Sequence, residues 1–105
     1  MKNLKLSVIE RMFLLRAIPQ SGPLNQVAVY LRIMEALRIK EDEQKEAGWH
    51  PADDGMVTVE KATLEFDVAL EDADFATLHQ LTSQWDGWPT APESLTLMAK
   101  LDAAK

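Results

Sequence analysis

The side chains that could do chemistry in this chain are few, because it contains two histidines and no cysteine. His50 opens the segment His50-Pro51-Ala52-Asp53-Asp54, in which an imidazole and two carboxylates are all common metal ligands. A calcium-binding loop needs acidic residues at alternating positions before its glycine, and Asp53-Asp54-Gly55 is too short for that spacing. We therefore interpret residues 50–55 as a solvated turn and predict no metal site. His79 lies at the edge of an apolar helical stripe and is predicted to be half-buried.

No motif for nucleophilic or nucleotide chemistry occurs. The sequence contains no Gly-x-Ser-x-Gly, no glycine-rich phosphate loop and no His-Glu-x-x-His. Helix caps and turns account for the serines, which are Ser7, Ser21, Ser83 and Ser94. An enzyme needs a poised acid or base in a cleft, and no residue can be nominated for that role. The sequence therefore predicts a non-enzymatic protein that uses no cofactor.

One loop carries two tryptophans, in the run Trp85-Asp86-Gly87-Trp88-Pro89. Large rings between helices often cover a hydrophobic core, which is one interpretation of this pair. In the other interpretation Trp85 and Trp88 are exposed anchors, the kind of residue that dominates protein–protein contacts. Both residues are therefore candidates for partner binding.

The net charge of −6 is unevenly distributed along the chain. Residues 1–40 have a net charge of +5, and residues 41–105 have a net charge of −11. Either the two parts fold against each other and partly neutralise, or the acidic surface meets a basic partner. The overall acidity makes nucleic acid an unlikely partner.

Two alternatives to protein binding follow from the same charges. A nucleic-acid-linked regulator would use the basic residues of the first two helices, Arg11, Arg16, Arg32 and Arg38. The turn between those helices is longer than in a helix-turn-helix, and the second helix is apolar where bases would be read. A nucleic-acid mimic would instead present carboxylates in place of phosphates, namely Glu41, Asp42, Glu43, Glu46, Asp53 and Asp54.

Length and composition indicate a single globular domain over residues 1–105. The apolar fraction of 47% is ordinary for a folded protein, and 105 residues match a common domain size. No apolar run approaches the roughly 18–20 residues that cross a bilayer, so no membrane partner is expected. The charged residues Glu10 and Arg11 interrupt the apolar N-terminal stretch, which argues against a signal peptide. The lack of cysteine fits a reducing compartment, and we expect a cytoplasmic protein.

The elements that must position these residues begin with LSVIERMFLLRAIPQSG, residues 6–22. Ser7 and Glu10 have the spacing of a capping box, which predicts a helix that begins after Ser7. Pro19 ends that helix, and a second helix is predicted from about Leu24 to Ile39. On the second helix one apolar face comprises Val27, Leu31 and Met34, and the adjacent face comprises Tyr30, Ile33 and Leu37. A short helical turn then ends at Gly48.

Residues 56–70 change from a helical period to alternation, which is typical of strands with one solvated face. Residues 60–63 are predicted to be a hairpin turn, or the segment forms one long strand after a short one. A third main helix follows with Asp72 as its N-cap, and a last helix has Thr90 and Glu93 at capping-box spacing. The predicted fold is α+β, with two N-terminal helices, a central β-hairpin or small antiparallel sheet, and two C-terminal helices.

The first helix is apolar over so much of its circumference that it must be covered on more than one side. We therefore expect a homodimer, in which the same patch serves both subunits. The candidate contact residues are Met12, Phe13, Leu15 and Arg16 with Tyr30 of the second helix. In the alternative, the strand face Leu64/Phe66/Val68 and the closing helix cover that surface within one chain.

Two segments of the chain resemble a group of small uncharacterised proteins from tailed bacteriophages and prophages. ERMFLLRAIPQSG, residues 10–22, is similar to their "ERLLLLNILPKEG" opening, and LTLMAKL, residues 95–101, is similar to their closing helix. The acidic turn at residues 40–43 matches more loosely. Trp88-Pro89 and Pro92 depart from the group's simpler entry into that closing helix. The resemblance implies a phage accessory protein that binds protein, either its own copies or a host factor, and implies no enzymatic mechanism.

Overall fold

The structure, a computed structural model, describes residues 1–105. Its nine elements follow one another along the chain as β1 (Lys2–Ser7), α1 (Val8–Ala17), α2 (Leu24–Leu37), α3 (Glu41–Ala47), β2 (Trp49–Pro51), β3 (Val57–Val59), β4 (Glu65–Leu70), α4 (Asp72–Gln84) and α5 (Pro92–Ala104). The predicted α+β class is confirmed, and the helices lie in the predicted order, with one strand before them.

The strands β1 and β2 are elements that the sequence analysis missed. His50 and Pro51 lie in β2, so the interpretation of residues 50–55 as a solvated turn is wrong for these two residues. In β1, Leu4 and Leu6 are buried, while Asn3 before them and Lys5 between them are exposed. This is the alternation of a strand with one solvated face. Six residues are a short stretch in which to recognise it beside the strong helical signal that follows Ser7.

The predicted hairpin between the third and fourth strands is wrong. β4 pairs antiparallel with β1, and β3 pairs antiparallel with β2, which forms two separate two-stranded sheets. In the β1–β4 sheet Leu4 lies opposite Val68 on the buried face, and Lys5 lies opposite Asp67 on the solvated face. Residues 60–63 therefore connect the β2–β3 sheet to the β1–β4 sheet and do not form a hairpin turn.

Most predicted helix boundaries are confirmed, and two predicted caps are not. The Ser7 hydroxyl accepts from the Glu10 N–H at 3.2 Å, and the Glu10 carboxylate accepts from the Ser7 N–H at 2.9 Å, as a capping box requires. Asp72 is the first helical residue of α4, not its N-cap, and it pairs with the N-terminal amine at 2.9 Å. Thr90 does not cap α5, whose N-cap is Ala91, with Pro92 at the first helical position.

The core is one cluster of buried apolar side chains between the β1–β4 sheet and four helices. It takes residues from β1, α1, α2, β4, α4 and α5, namely Leu4, Leu6, Leu14, Ile18, Ile33, Leu37, Val68, Leu70, Phe75, Leu78, Leu97 and Leu101. No residue of α3, β2 or β3 belongs to it. We call residues 41–60, which hold those three elements, the acidic arm.

Candidate protein-binding face

The apolar surface of α1 is covered within the chain. Arg16 is the only exposed residue of α1, and Phe13 and Leu15 pack against the core as half-buried side chains. The core contacts come partly from Leu97 and Leu101 of α5, as the single-chain alternative expected. The expectation that a second copy must cover the apolar surface of α1 is therefore wrong.

The exposed apolar surface lies instead on the outer face of α2. Leu24 is 86% exposed, Leu31 is 59% exposed and Met34 is 41% exposed, and Val27 lies half-buried between them. We call these four residues the α2 stripe. Their spacing of three, four and three residues places them on one side of the helix. The sequence analysis placed Val27, Leu31 and Met34 on one face, and Leu24 extends that face to the start of the helix.

A groove runs between α2 and the end of α1, and Val27, Leu31 and Met34 of the α2 stripe form part of its wall. It encloses about 270 Å³ and is mostly apolar, with walls formed by Leu15 and Ile18 on one side and by Val27, Tyr30 and Met34 on the other. Of the predicted contact residues, Leu15 and Tyr30 line this groove. Met12 is half-buried outside it. An apolar stripe beside an apolar groove can receive a helix, because knobs from one surface fill holes in the other.

A buried arginine fixes the C-terminal end of α2. Arg11 is 2% exposed, and its Nε donates to the carbonyl of Leu37 at 3.1 Å while Nη2 donates to the carbonyl of Arg38. These two carbonyls lie at the C-terminal end of α2, where a helix has no further backbone N–H groups to donate to them. The guanidinium also donates to both carboxylate oxygens of Glu43, at 2.8 and 3.1 Å. Arg11 thus joins α1, the end of α2 and the start of α3.

The pairing with Arg11 changes the titration of Glu43. Partial burial by itself raises the pKa of Glu43, but the hydrogen bonds from Arg11 and from the Lys40 N–H outweigh burial and lower it.

A second ion pair fixes the flank of α2 that faces α4. Arg32 donates to both oxygens of Asp74, at 3.2 and 2.9 Å, and Asp74 is 5% exposed. The hydrogen bond to Asp74 raises the pKa of Arg32. These two contacts join α2 to α1, α3 and α4 on the sides away from the α2 stripe.

The two candidate tryptophans lie against each other, and one of them, Trp88, also packs against the core. Their ring centroids are 5.0 Å apart, and the rings are tilted by 54°. Trp88 packs on the core, and its Nε1 donates to the carbonyl of Thr82 at 3.1 Å. Trp85 folds back over Gly87, where a Cβ would lie 2.6 Å from the indole nitrogen. Both side chains are half-buried.

The structure brings together one serine–histidine–aspartate set that the sequence analysis did not foresee. His79 Nε2 lies 2.8 Å from Asp102, and Ser83 Oγ lies 3.4 Å from His79 Nδ1. The Ser83 hydroxyl donates its proton to the carbonyl of His79 at 2.8 Å, so it cannot also donate to the imidazole. No described cavity contains these residues. The set therefore joins α4 to α5 and lacks the geometry of an activated nucleophile.

A polar cavity of about 340 Å³ lies at the start of α1 and α5. Its base holds Glu10, which is 2% exposed and accepts from Lys100 Nζ at 2.6 Å and from Thr96 at 3.1 Å. Burial lowers the pKa of Lys100, but its hydrogen bonds to Glu10 and Glu65 outweigh that effect and raise it. Every acceptor of Glu10 has a partner within the chain, so the buried charges are compensated.

The charged residues named for nucleic-acid binding or mimicry are mostly engaged within the chain or gathered in the acidic arm. Three of the four arginines proposed for nucleic acid are used in ion pairs, Arg11 with Glu43, Arg32 with Asp74 and Arg38 with Glu35. The acidic arm contains seven Asp/Glu residues and one Lys, so its net charge of −6 equals that of the whole chain. Within it Glu43 is already occupied by Arg11.

The side chains of residues 50–55 make local contacts within the acidic arm. His50 lies in β2, with Nε2 at 3.0 Å from Glu60, and Asp54 accepts from the N–H of Met56, as in a turn. No group of three or more His, Asp or Glu side chains is arranged to hold a metal ion. None of the helices combines the length and the hydropathy needed to cross a bilayer. Comparison with protein-family models, with curated proteins and with solved structures gives no match.

Proposed function

We propose that this chain is a non-enzymatic accessory protein of the phage type that acts by binding protein, and that its partner at the α2 stripe is a second copy of the chain. The single observation that carries the proposal is the exposure of Leu24, Leu31 and Met34 on a helix whose opposite face is closed into the core. Monomeric proteins rarely leave large apolar side chains in one continuous stripe.

Burial supplies the driving force for the proposed dimer. Removing a leucine side chain from water contributes about 1.5–3 kcal/mol when burial is complete. Leu24 is the most exposed of these side chains, so its burial contributes the most free energy. In a symmetric contact each residue is buried on both copies, so each contribution occurs twice. Association also carries a large entropic cost, so a patch of this size supports a weak dimer that dissociates on dilution.

The resemblance of residues 10–22 and 95–101 to phage accessory proteins supports the proposed origin and cytoplasmic action. The first segment comprises most of α1 and the turn after it, the second lies in α5, and the core joins the two helices. The acidic arm gives the assembled protein a strongly negative field, which speeds encounter with basic partners and slows encounter with acidic ones.

A charge placed in the α2 stripe tests the proposal. In Leu31→Glu the dimer would bury two uncompensated carboxylates, so we expect a folded monomer by analytical ultracentrifugation. Leu95→Glu is the matched control, because Leu95 is 78% exposed on α5, and it should sediment like the unaltered chain. Circular dichroism checks that both variants fold. Equal masses for Leu31→Glu and the unaltered chain would contradict the proposal.

A further inference from the structure

We infer that the two copies pair α2 on α2 in antiparallel orientation, about a two-fold axis that passes beside Ala28 and Val29. This inference rests on the proposed self-association and specifies its geometry. Leu24 of one copy then contacts the partner's Met34, and Val27 contacts the partner's Leu31. The two-fold axis makes each contact occur twice.

The spacing of the α2 stripe is the first support for this arrangement. Intervals of three, four and three residues read the same in both directions, so an antiparallel copy places an apolar side chain opposite each apolar side chain. The residue next to the axis on the exposed side is Ala28. Its small side chain lets the two helices approach closely where they cross.

The ends of α2 are the second support, because they are electrostatically complementary. The N-terminus of α2 has Pro23 as its N-cap, no side-chain cap and no acidic residue in its first turn. A helix N-terminus carries a partial positive charge and favours a nearby carboxylate. The antiparallel register places the partner's Glu35 level with that N-terminus, and Glu35 is an exposed side chain.

The charge distribution along α2 favours the antiparallel arrangement over the parallel alternative. The first half of the helix, residues 24–30, carries no ionised side chain, whereas the second half carries Arg32 and Glu35. A parallel pair would place Glu35 beside Glu35, and such a like-charge contact is destabilising. Arg32 is held by Asp74 on the flank that faces α4. In the antiparallel pair Glu35 lies beside the neutral half of the other helix.

The available area sets the expected strength. The α2 stripe spans about 15 Å of helix, and a standard interface buries about 800 Å² on each partner. The turn at residues 18–23 and the groove next to it extend the contact beyond α2. We expect an interface at the lower end of the size range, with dissociation in the micromolar range.

Because the chain has no cysteine, single engineered cysteines can report the register. Leu24→Cys and Met34→Cys are mixed, and they are treated with a bis-maleimide shorter than two helical turns. In the antiparallel pair the two copies of residue 24 lie about 15 Å apart along the helix, so they are out of its reach. We expect a band of cross-linked dimer from the mixture and no such band from either variant alone. Asn25→Cys, on an exposed flank outside the stripe, controls for chance collisions.

The outcomes separate the register from the proposed function. Cross-linking of Leu24→Cys with itself, as strong as in the mixture, would overturn the antiparallel register while leaving self-association intact. No cross-link in any combination, together with a mass of 11.8 kDa for the unaltered chain, would overturn both. Circular dichroism shows that each variant is folded before it is scored.

Discussion

The guanidinium of Arg11, on α1, donates a hydrogen bond to each carboxylate oxygen of Glu43, on α3, at 2.8 and 3.1 Å. Arg11 is 2% exposed, and the same guanidinium donates to the carbonyls of Leu37 and Arg38 at the end of α2. One side chain therefore fixes three helices. It sets the direction of α2 and attaches the acidic arm to the body of the protein.

The first prediction is that Arg11→Met lowers the free energy of unfolding by about 3 kcal/mol. It leaves the partly buried Glu43 carboxylate with the Lys40 N–H as its remaining donor, and it removes the side-chain donor of two helix-end carbonyls. Urea denaturation measures the loss. Arg16→Met is the matched control, since Arg16 is exposed on the same helix and makes no ion pair. It should change stability by less than about 0.5 kcal/mol. Equal effects of the two variants would contradict the structural role of Arg11.

The second prediction concerns acid. Because the pKa of Glu43 is lowered from its ordinary value of 4.5, the pair's contribution is fully present above that pH and is lost as pH falls through the lower folded-state value. Glu43→Gln should be less stable than the unaltered chain at neutral pH, and the difference should shrink below pH 4.5. Glu46→Gln, exposed on the same helix, serves as control. A difference that is constant with pH would argue against an ionic contribution.

Local signals predicted the helices well. The Ser7–Glu10 capping box, the stop before Pro19 and the left-handed Gly48 each act within a few residues, so the sequence displays them directly. β4 pairs with β1, and three helices lie between these two strands in the sequence. No local sequence pattern specifies such a distant pairing partner. The sequence could therefore predict that residues 65–70 form a strand, but not its neighbour.

The α2 stripe also shows this difference between local sequence signals and long-range packing. The apolar face of Val27, Leu31 and Met34 was visible as a helical period, but which face of α2 meets the core depends on packing by α4 and the sheet. Arg11 was counted among basic surface residues, because its burial depends on Glu43 and on the end of α2. A buried charge is recognised only when its partners are known.

The third prediction separates the two tryptophans. Trp88→Ala should lower the free energy of unfolding by about 2 kcal/mol, because Trp88 packs on the core and donates to Thr82. Trp85→Ala should have a smaller effect, since Trp85 contacts mainly Trp88 and Gly87. Urea denaturation gives the stability, and ultracentrifugation should show the same self-association for both variants. A fully stable Trp88→Ala that is monomeric would instead identify Trp88 as the anchor.

The fourth prediction compares two glycines of the acidic arm that both have positive φ, 73° at Gly48 and 83° at Gly55. Alanine in this conformation costs about 1–2 kcal/mol at either position. At Gly48 its Cβ would also lie 2.8 Å from Glu60 Cβ, whereas at Gly55 it would meet open space. Gly48→Ala should therefore accelerate hydrogen exchange at the Glu60 and Lys61 amides more than Gly55→Ala does. Equal exchange would show that the contact with Glu60 does not matter.

The central claim is that the α2 stripe joins two copies of this chain. Static light scattering of the unaltered protein over a roughly hundredfold dilution tests it most directly, because a weak dimer dissociates by mass action. We expect an average mass near twice 11.8 kDa at the highest concentration, falling toward 11.8 kDa on dilution. A mass of 11.8 kDa at every concentration would contradict it.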